Sequence, residues 1–332
     1  GQVGNDSAKV FIDVVGDAAA LDEFAARLCS DAPPLSFIEH VTRRRTETNL
    51  DADRFRIVDS IEAAGPQTLV PPDTGLCADC LAELLDSSKR RFRHPFITCT
   101  NCGPRFSIIT GLPYDRPNTT MGDFAMCTAC TAEYTDPADR RYHAQPIGCA
   151  DCGPTLWFRA PDGEQVVGPA GIEAAREMVC SGQIVAVKGI GGLHFAVDAT
   201  DEEAVSRLRH RKHRPDKPLA VMVRDLEAAR RVADLSAAEE RLLMSPARPV
   251  VLARARGDAG IVGSVAPGNP LIGVMLAYTP VHHLLLTEPF PPVVMTSANL
   301  AGEPITYRDV DIEAQLGTLA DGLLTNDRRI AA

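Results

Sequence analysis

The chain has 332 residues, room for about two domains at ~150 residues each, and carries 34 Lys and Arg against 44 Asp and Glu for a formal net charge of −10. A hydrophobic content of 45% supplies packed cores and excludes general disorder. No apolar run reaches the ~18 residues of a membrane span, the start Gly1-Gln2-Val3-Gly4-Asn5 is no signal peptide, and the acidic balance argues against a general nucleic-acid or anionic-membrane binder. The expectation is a soluble, multidomain protein, and the missing initiator Met marks a processed or truncated chain.

Residues 9–16, Lys-Val-Phe-Ile-Asp-Val-Val-Gly, alternate as a half-buried strand. A helix pattern follows from Ala18 to Ser30, then strand-like runs at 35–45 and 54–59. These ~60 residues of α+β material are thin for an independent core. Pro66, Pro71, Pro72 and Gly75 punctuate a linker into the next region.

That region holds eight of the ten cysteines in four CxxC pairs: Cys77/Cys80, Cys99/Cys102, Cys127/Cys130 and Cys149/Cys152. Intervals of 18, 24 and 18 residues separate the pairs. A CxxC turn puts two thiolates on one tetrahedral ion, and a second CxxC ~15–20 residues on completes a four-cysteine zinc site. The segment also repeats itself at an offset of 50: Gly103-Pro104 maps onto Gly153-Pro154, Ala82-Glu83 onto Ala132-Glu133, Asp86 onto Asp136, and Arg90-Arg91 onto Arg140-Arg141. A duplicated unit closes its own site, so the first four cysteines are assigned to one structural zinc and the last four to another. Interleaved pairing, first pair with third and second with fourth, stays open. Redox CxxC chemistry and disulfides fit this duplicated register poorly. His94 and His143 lie near the second CxxC of each copy and read as structural histidines, with spare ligation the alternative; Cys29 and Cys180 read as buried thiols.

After Phe158 the Ala160-Pro161-Asp162-Gly163 turn opens an α/β regime. Strand-like runs at Ile184–Val187, Leu219–Val223, Val250–Ala253 and Val293–Met295 alternate with helical patterns near 171–181, 201–212, 225–243 and 309–319. Three clusters in it suit anions. Lys188-Gly189-Ile190-Gly191-Gly192-Leu193-His194 follows a strand, its glycines allowing close backbone approach and its Lys supplying charge. The basic run Arg207, Arg209, Arg211, Lys212, Arg214 and Lys217, with His210 and His213, is either a phosphate site or a solvated helix face. Val293-Val294-Met295-Thr296-Ser297-Ala298-Asn299 is a strand running into a polar tip, where α/β folds place ligands. No Ser/His/Asp or Cys/His nucleophile arrangement stands out.

Together these residues resemble the HypF family of hydrogenase-maturation carbamoyltransferases. The cysteine segment matches through Cys77-Ala-Asp-Cys80, Cys99-Thr-Asn-Cys102-Gly-Pro-Arg, Cys127-Thr-Ala-Cys130 and Cys149-Ala-Asp-Cys152-Gly-Pro. Lys212-His213-Arg214-Pro215, Lys217-Pro218-Leu219-Ala220 and Ser297-Ala298-Asn299 are similar to the Lys-x-Arg and Ser-x-Asn signatures of YrdC-like domains. Gly1-Gln2-Val3-Gly4-Asn5 matches an acylphosphatase-like Gly-x-Val-x-Asn turn, with Asn5 as its active-site amide, but the preceding strand and Arg loop of that cradle are absent.

The resemblance implies a partial acylphosphatase-like α+β sandwich over 1–62, a duplicated zinc-finger domain over 63–158 and a YrdC-like α/β domain with a twisted sheet over 159–332. It implies a cytoplasmic enzyme that makes carbamoyl adenylate from ATP and carbamoyl phosphate-derived carbamate, with Mg2+ on the pyrophosphate. Transfer to a C-terminal cysteine of a HypE-like acceptor protein, towards the cyanide ligands of a NiFe centre, belongs to a further domain beyond Asn326-Asp327-Arg328-Arg329-Ile330, so the chain reads as an N-terminal fragment. Lys212 and Arg214 are placed on the phosphates, Ser297 and Asn299 on the nucleotide, and Lys188, His194 and Arg248 as secondary anion contacts. The alternatives are YrdC-type carbamoylation of a small molecule or in a tRNA adenosine pathway, and a zinc-dependent RNA-binding module. An aromatic content of 5% with one Trp leaves the last little for base stacking.

Overall fold

The computed structural model describes residues 1–5, 9–36, 38–46, 54–58 and 70–331. Pro66, Phe37, Asp59 and the boundary between 62 and 63 lie outside the described residues. The chain divides into two compact units, Gly1–Val70 and Pro71–Ala332.

In the first unit β1 (Gln2–Asn5) pairs antiparallel with β2 (Val10–Asp13). Helix α1 (Ala18–Ser30) starts on Asp17, whose carboxylate accepts the Ala20 amide, and β3 (Arg56–Ile57) joins β1 in parallel. Residues 38–45, expected as a strand, are irregular. The core is thin: Gly4 is the one buried residue among those described in this unit. A Cβ there would meet the Phe11 ring at 2.5 Å and Val58 at 2.8 Å, so any larger residue must displace those side chains.

The second unit opens with the cysteine repeat. Helices α2 (Ala78–Leu85) and α3 (Thr128–Thr135) occupy equivalent places, each with the first cysteine of a CxxC as its N-cap. Downstream, β4 (Leu156–Arg159) and β5 (Gln165–Val167) form a hairpin, followed by α4 (Pro169–Cys180), β6 (Val185–Lys188) and β7 (Leu193–Asp198). Next come α5 (Glu202–Lys212), β8 (Ala220–Val223), α6 (Leu226–Val232), β9 (Ala233–Asp234), α7 (Ala237–Met244), β10 (Val251–Ala255) and β11 (Leu271–Leu276). The fold closes with α8 (Pro280–Leu285), β12 (Val293–Ser297), α9 (Ile312–Leu316) and β13 (Gly322–Asn326).

Ten strands make one mixed sheet, ordered β5-β4-β13-β6-β7-β12-β8-β11-β10-β9. Side-chain alternation sends Ala186, Leu193, Phe195, Val197, Val221 and Val294 to one face, under α5, α6 and α9. Val185, Val187, Ala196, Met222, Val293 and Met295 go to the other, under α4 and α8. That second face also buries Leu76, Cys80, Leu84, Phe96, Ile97, Cys99 and Cys102. The first cysteine unit is thus continuous with the sheet's core.

The helix expected over 225–243 is two helices. Ser236 accepts the Glu239 amide while the Glu239 carboxylate takes the Ser236 N–H, a capping box that restarts the helix. The intervening Ala233–Asp234 is drawn into pairing with Arg254–Ala255. Cys29 and Cys180 are exposed rather than buried: α1 buries no residue, and Cys180 follows the buried stripe Ile172, Ala175 and Val179 of α4.

Candidate functional site

The structure gathers Cys77, Cys80, Cys99 and Cys102 into one cluster and Cys127, Cys130, Cys149 and Cys152 into another, as the tandem assignment requires and the interleaved one does not. All ten cysteines are free thiols. Sulfur separations are 3.7 Å for Cys77–Cys99, 3.8 Å for Cys99–Cys102, 3.8 Å for Cys127–Cys149 and 3.7 Å for Cys149–Cys152. Metal–sulfur bonds of about 2.3 Å in a tetrahedron put sulfurs about 3.8 Å apart, so both donor sets fit a zinc-sized ion. His94 and His143 belong to neither cluster. His94 is buried with Nε2 unpartnered, and burial with nearby arginine charge lowers its pKa to about 3. His143 packs on Tyr134 and Tyr142.

The two clusters are tied together crosswise. Arg90 and Arg91, from the first unit, donate to Cys130 Sγ at 3.5 and 3.4 Å and to Glu133 at 2.7 and 2.5 Å. Arg140 and Arg141, from the second, reach back: Arg140 donates to Cys80 Sγ at 2.8 Å and to Glu83, and Arg141 to Glu83 at 2.7 Å. Arg91 Nε also meets the Gly148 carbonyl at 2.9 Å, and Arg141 Nε the Thr98 carbonyl at 3.1 Å. Burial pushes the Glu133 carboxyl up, but the Arg91 and Arg90 guanidiniums outweigh it and hold its pKa at about 2.

On the sheet, Lys212 ends α5 and is buried. Its ammonium donates to Ser297 O at 2.6 Å, Asn299 O at 2.6 Å and Asn299 Oδ1 at 2.7 Å, using all three protons. Ser297 Oγ donates to the same Asn299 Oδ1 at 2.7 Å. Two motifs 85 residues apart thus form one constellation. Burial and the charge of Arg214 lower the Lys212 pKa to about 8.

Arg214 follows His213, which takes the left-handed conformation (φ 53°) to end the helix. The half-buried Arg214 guanidinium leans on the Pro218 carbonyl at 2.6 Å. Arg209 shapes this loop from within, donating to the carbonyls of Arg214, Pro215 and Lys217 at 2.9, 3.0 and 3.1 Å, and to those of Ser264 and Val265. Arg207 bonds the Gly182 carbonyl, and Arg211 pairs with Asp321. Much of the basic run is internal bracing, not a charged outer face.

His194 sits directly opposite Ser297 in the β7–β12 register, so the two side chains share a face. Its Nδ1 has no partner, and burial followed by the Lys212 charge lowers its pKa to about 4. The nearby buried His282, 6.5 Å ring to ring, has neither nitrogen bonded. The glycine turn closes on the same loop: Leu193 N bonds Thr306 O, and a Cβ on Gly192 would strike Ile305 at 2.6 Å.

The other expected residues are spent elsewhere. Lys188 is buried against Asp309 at 2.5 Å and the Asn326 carbonyl at 2.9 Å. Arg248 packs beside Gly75 and donates to Leu243 O at 3.3 Å. Asn5 ends β1 in the first unit, paired in register with Val10. Arg328 escaped the sequence reading: it is buried with its guanidinium 5.5 Å from the Phe96 ring, lining a cavity of about 30 Å³ with Thr279 and Tyr278. Only its Asp-Arg-Arg charge signal marks it in the sequence.

A family model named for Sua5, YciO and YrdC and described as "Telomere recombination" matches residues 177–332, and the "HypF finger" model matches 76–109 and 126–159. The carbamoyltransferase HypF of Synechocystis sp. is 48% identical over 333 residues, 99% of this chain and 43% of that protein. The chain belongs to the HypF family. A crystal structure of full-length HypF in a phosphate- and nucleotide-bound form superposes with a TM-score of 0.93 at 44% identity, over 99% of this chain and 43% of that one. The T. kodakarensis HypF structure gives 0.87 at 38% identity, over 99% and 42%. The chain therefore spans less than half the length of the HypF proteins it matches.

Proposed function

We propose that this chain carries the adenylating step of carbamoyl transfer in NiFe-hydrogenase maturation. A carbamate oxygen, derived from carbamoyl phosphate, attacks the α-phosphorus of ATP; the bond to the β-phosphate bridging oxygen breaks, giving carbamoyl adenylate and pyrophosphate. The observation that carries this reading is the Lys212–Ser297–Asn299 constellation, three polar groups locked beside the loop that carries Arg214. Arg214 takes phosphate oxygens, and Lys212 lends its charge while holding the Ser297–Asn299 turn that orients the nucleotide. Preorganised donors of this kind stabilise charge as it builds on phosphate. Mg2+ would neutralise the leaving pyrophosphate. His194, neutral and opposite Ser297, is a secondary contact, as are Lys188 and Arg248; Asn5 is a residue of an acylphosphatase-like site.

The eight clustered cysteines hold two structural zinc ions, within a domain spanning 63–158 between an acylphosphatase-like part (1–62) and a YrdC-like part (159–332). The acceptor is a HypE-like protein cysteine and the setting cytoplasmic. Among the described residues no helix is long and apolar enough to cross a membrane. The inward commitment of Arg207, Arg209 and Arg211 speaks against an RNA-binding face.

The test is ATP–pyrophosphate exchange with carbamoyl phosphate in one reaction and fresh carbamate in another. Exchange with carbamate is expected, and K212A should lower it ~100-fold or more, the loss typical of a transition-state donor. As the cation is the active form, exchange should fall as pH rises through about 8, whereas K212R should lack that alkaline limb. No exchange from folded, zinc-replete protein overturns the adenylation reading.

A further inference from the structure

Among the described residues, every side-chain N–H donor on Cys80 or Cys130 comes from the opposite cysteine unit: Arg140 on Cys80, and Arg90 and Arg91 on Cys130. The matched carboxylates bind the same crossed arginines, Glu83 with Arg140 and Arg141 and Glu133 with Arg90 and Arg91; Arg91 also stands 3.6 Å from Glu83 of its own unit, a longer contact. A divalent ion with four thiolates carries two negative charges. Adding one carboxylate and the two guanidiniums of the opposite unit leaves one negative charge at each site, with Arg91 a more distant third cation at Glu83. Arg91 and Arg141 are buried, so bulk water cannot readily replace them.

We propose that each arginine pair retains the metal of the opposite cluster. The inference rests on the reading of the clusters as zinc sites. N–H donors to a ligand thiolate stabilise its negative charge and hold the sulfur in its place around the ion. Groups one shell out from a metal typically change its affinity ~10–100-fold. An ordinary structural arginine would stabilise its own unit; the crossed geometry makes each one act on its neighbour's.

Arg90 and Arg140 suit substitution because their side chains keep 33% and 28% exposure. The zinc-loaded full chain is challenged with EDTA in the presence of N-ethylmaleimide, and peptide mass spectrometry follows labelling of each cluster over time. R140Q, in the second unit, should speed early labelling of Cys77, Cys80, Cys99 and Cys102 by ~10-fold and leave the initial rate at the other four unchanged. R90Q should do the reverse. R140K and R90K, which keep charge without the planar fork, should fall between wild type and the Gln variants. Faster labelling of the substituted unit's own cluster, equal acceleration of both, or no change overturns the proposal. Wild-type protein without zinc by elemental analysis would instead overturn the metal assignment itself.

Discussion

The two cysteine units share ligand spacing, an eight-residue helix and a left-handed residue at equivalent places, Arg93 (φ 54°) and His143 (φ 52°). Their surroundings differ. Cys80, Leu84, Phe96, Ile97, Cys99 and Cys102 of the first unit merge into the apolar layer beneath the ten-stranded sheet. The second buries only Cys130, Ala144, Ile147 and Cys149 in a cluster of its own. Duplication preserved the local chemistry and left burial to be set by what each copy rests against. A small core rarely holds a fold alone, so the second unit depends on the proposed zinc and the arginine bridges, whereas the first is also part of a larger hydrophobic body.

The sharpest break of this comparison is a ligand substitution at matched positions. C80S should destabilise the sheet-bearing unit by at least about 5 kcal/mol, because metal loss there opens the common core. C130S should shift the main transition by no more than about 2 kcal/mol, while releasing one zinc. Thermal unfolding with parallel zinc analysis decides, and equal losses would mean that the units are energetically equivalent. A smaller contrast lies at Leu84 and Tyr134, which occupy corresponding places. L84A should cost about 2–5 kcal/mol for a buried cavity. Y134F removes only the hydroxyl's bond to Gln145 Oε1 at 2.8 Å and should cost about 1 kcal/mol in the same assay. Smallest of all, C29S and C180S should lie within ~0.5 kcal/mol of wild type, and both exposed thiols should label before any chelator is added.

How much of this was legible in the sequence follows from the range of each interaction. Ligand spacing is local, so four CxxC pairs at repeated intervals named all eight ligands and the duplication favoured tandem clusters, but only the packing closed off interleaved pairing. Strands such as β8 and β12 announced themselves as β-branched runs, whereas β11, Leu-Ile-Gly-Val-Met-Leu, carries a central glycine and no alternation. The break at Ala233–Asp234 was written in Ser236 and Glu239, but helix periodicity on both sides masked it. The crossed arginines were illegible for a physical reason. In a tandem repeat, Arg90 can meet Glu83 or Glu133 equally well by pattern, and only the packing of one copy on the other selects Glu133. Likewise Lys188 looked like a free cation because Asp309, its partner, lies 121 residues on.

Arg209 gives up its guanidinium to five main-chain carbonyls and to no carboxylate. Loop 213–218 is therefore drawn tight around a charge that Asp216, in the loop itself, and Glu202 offset only from a distance, neither bonding it. The region around Arg214 carries a standing positive potential before any ligand arrives, in a molecule whose overall charge is −10. An incoming polyanion meets general repulsion and one local well, which focuses its approach on that loop and makes capture weaken as salt rises.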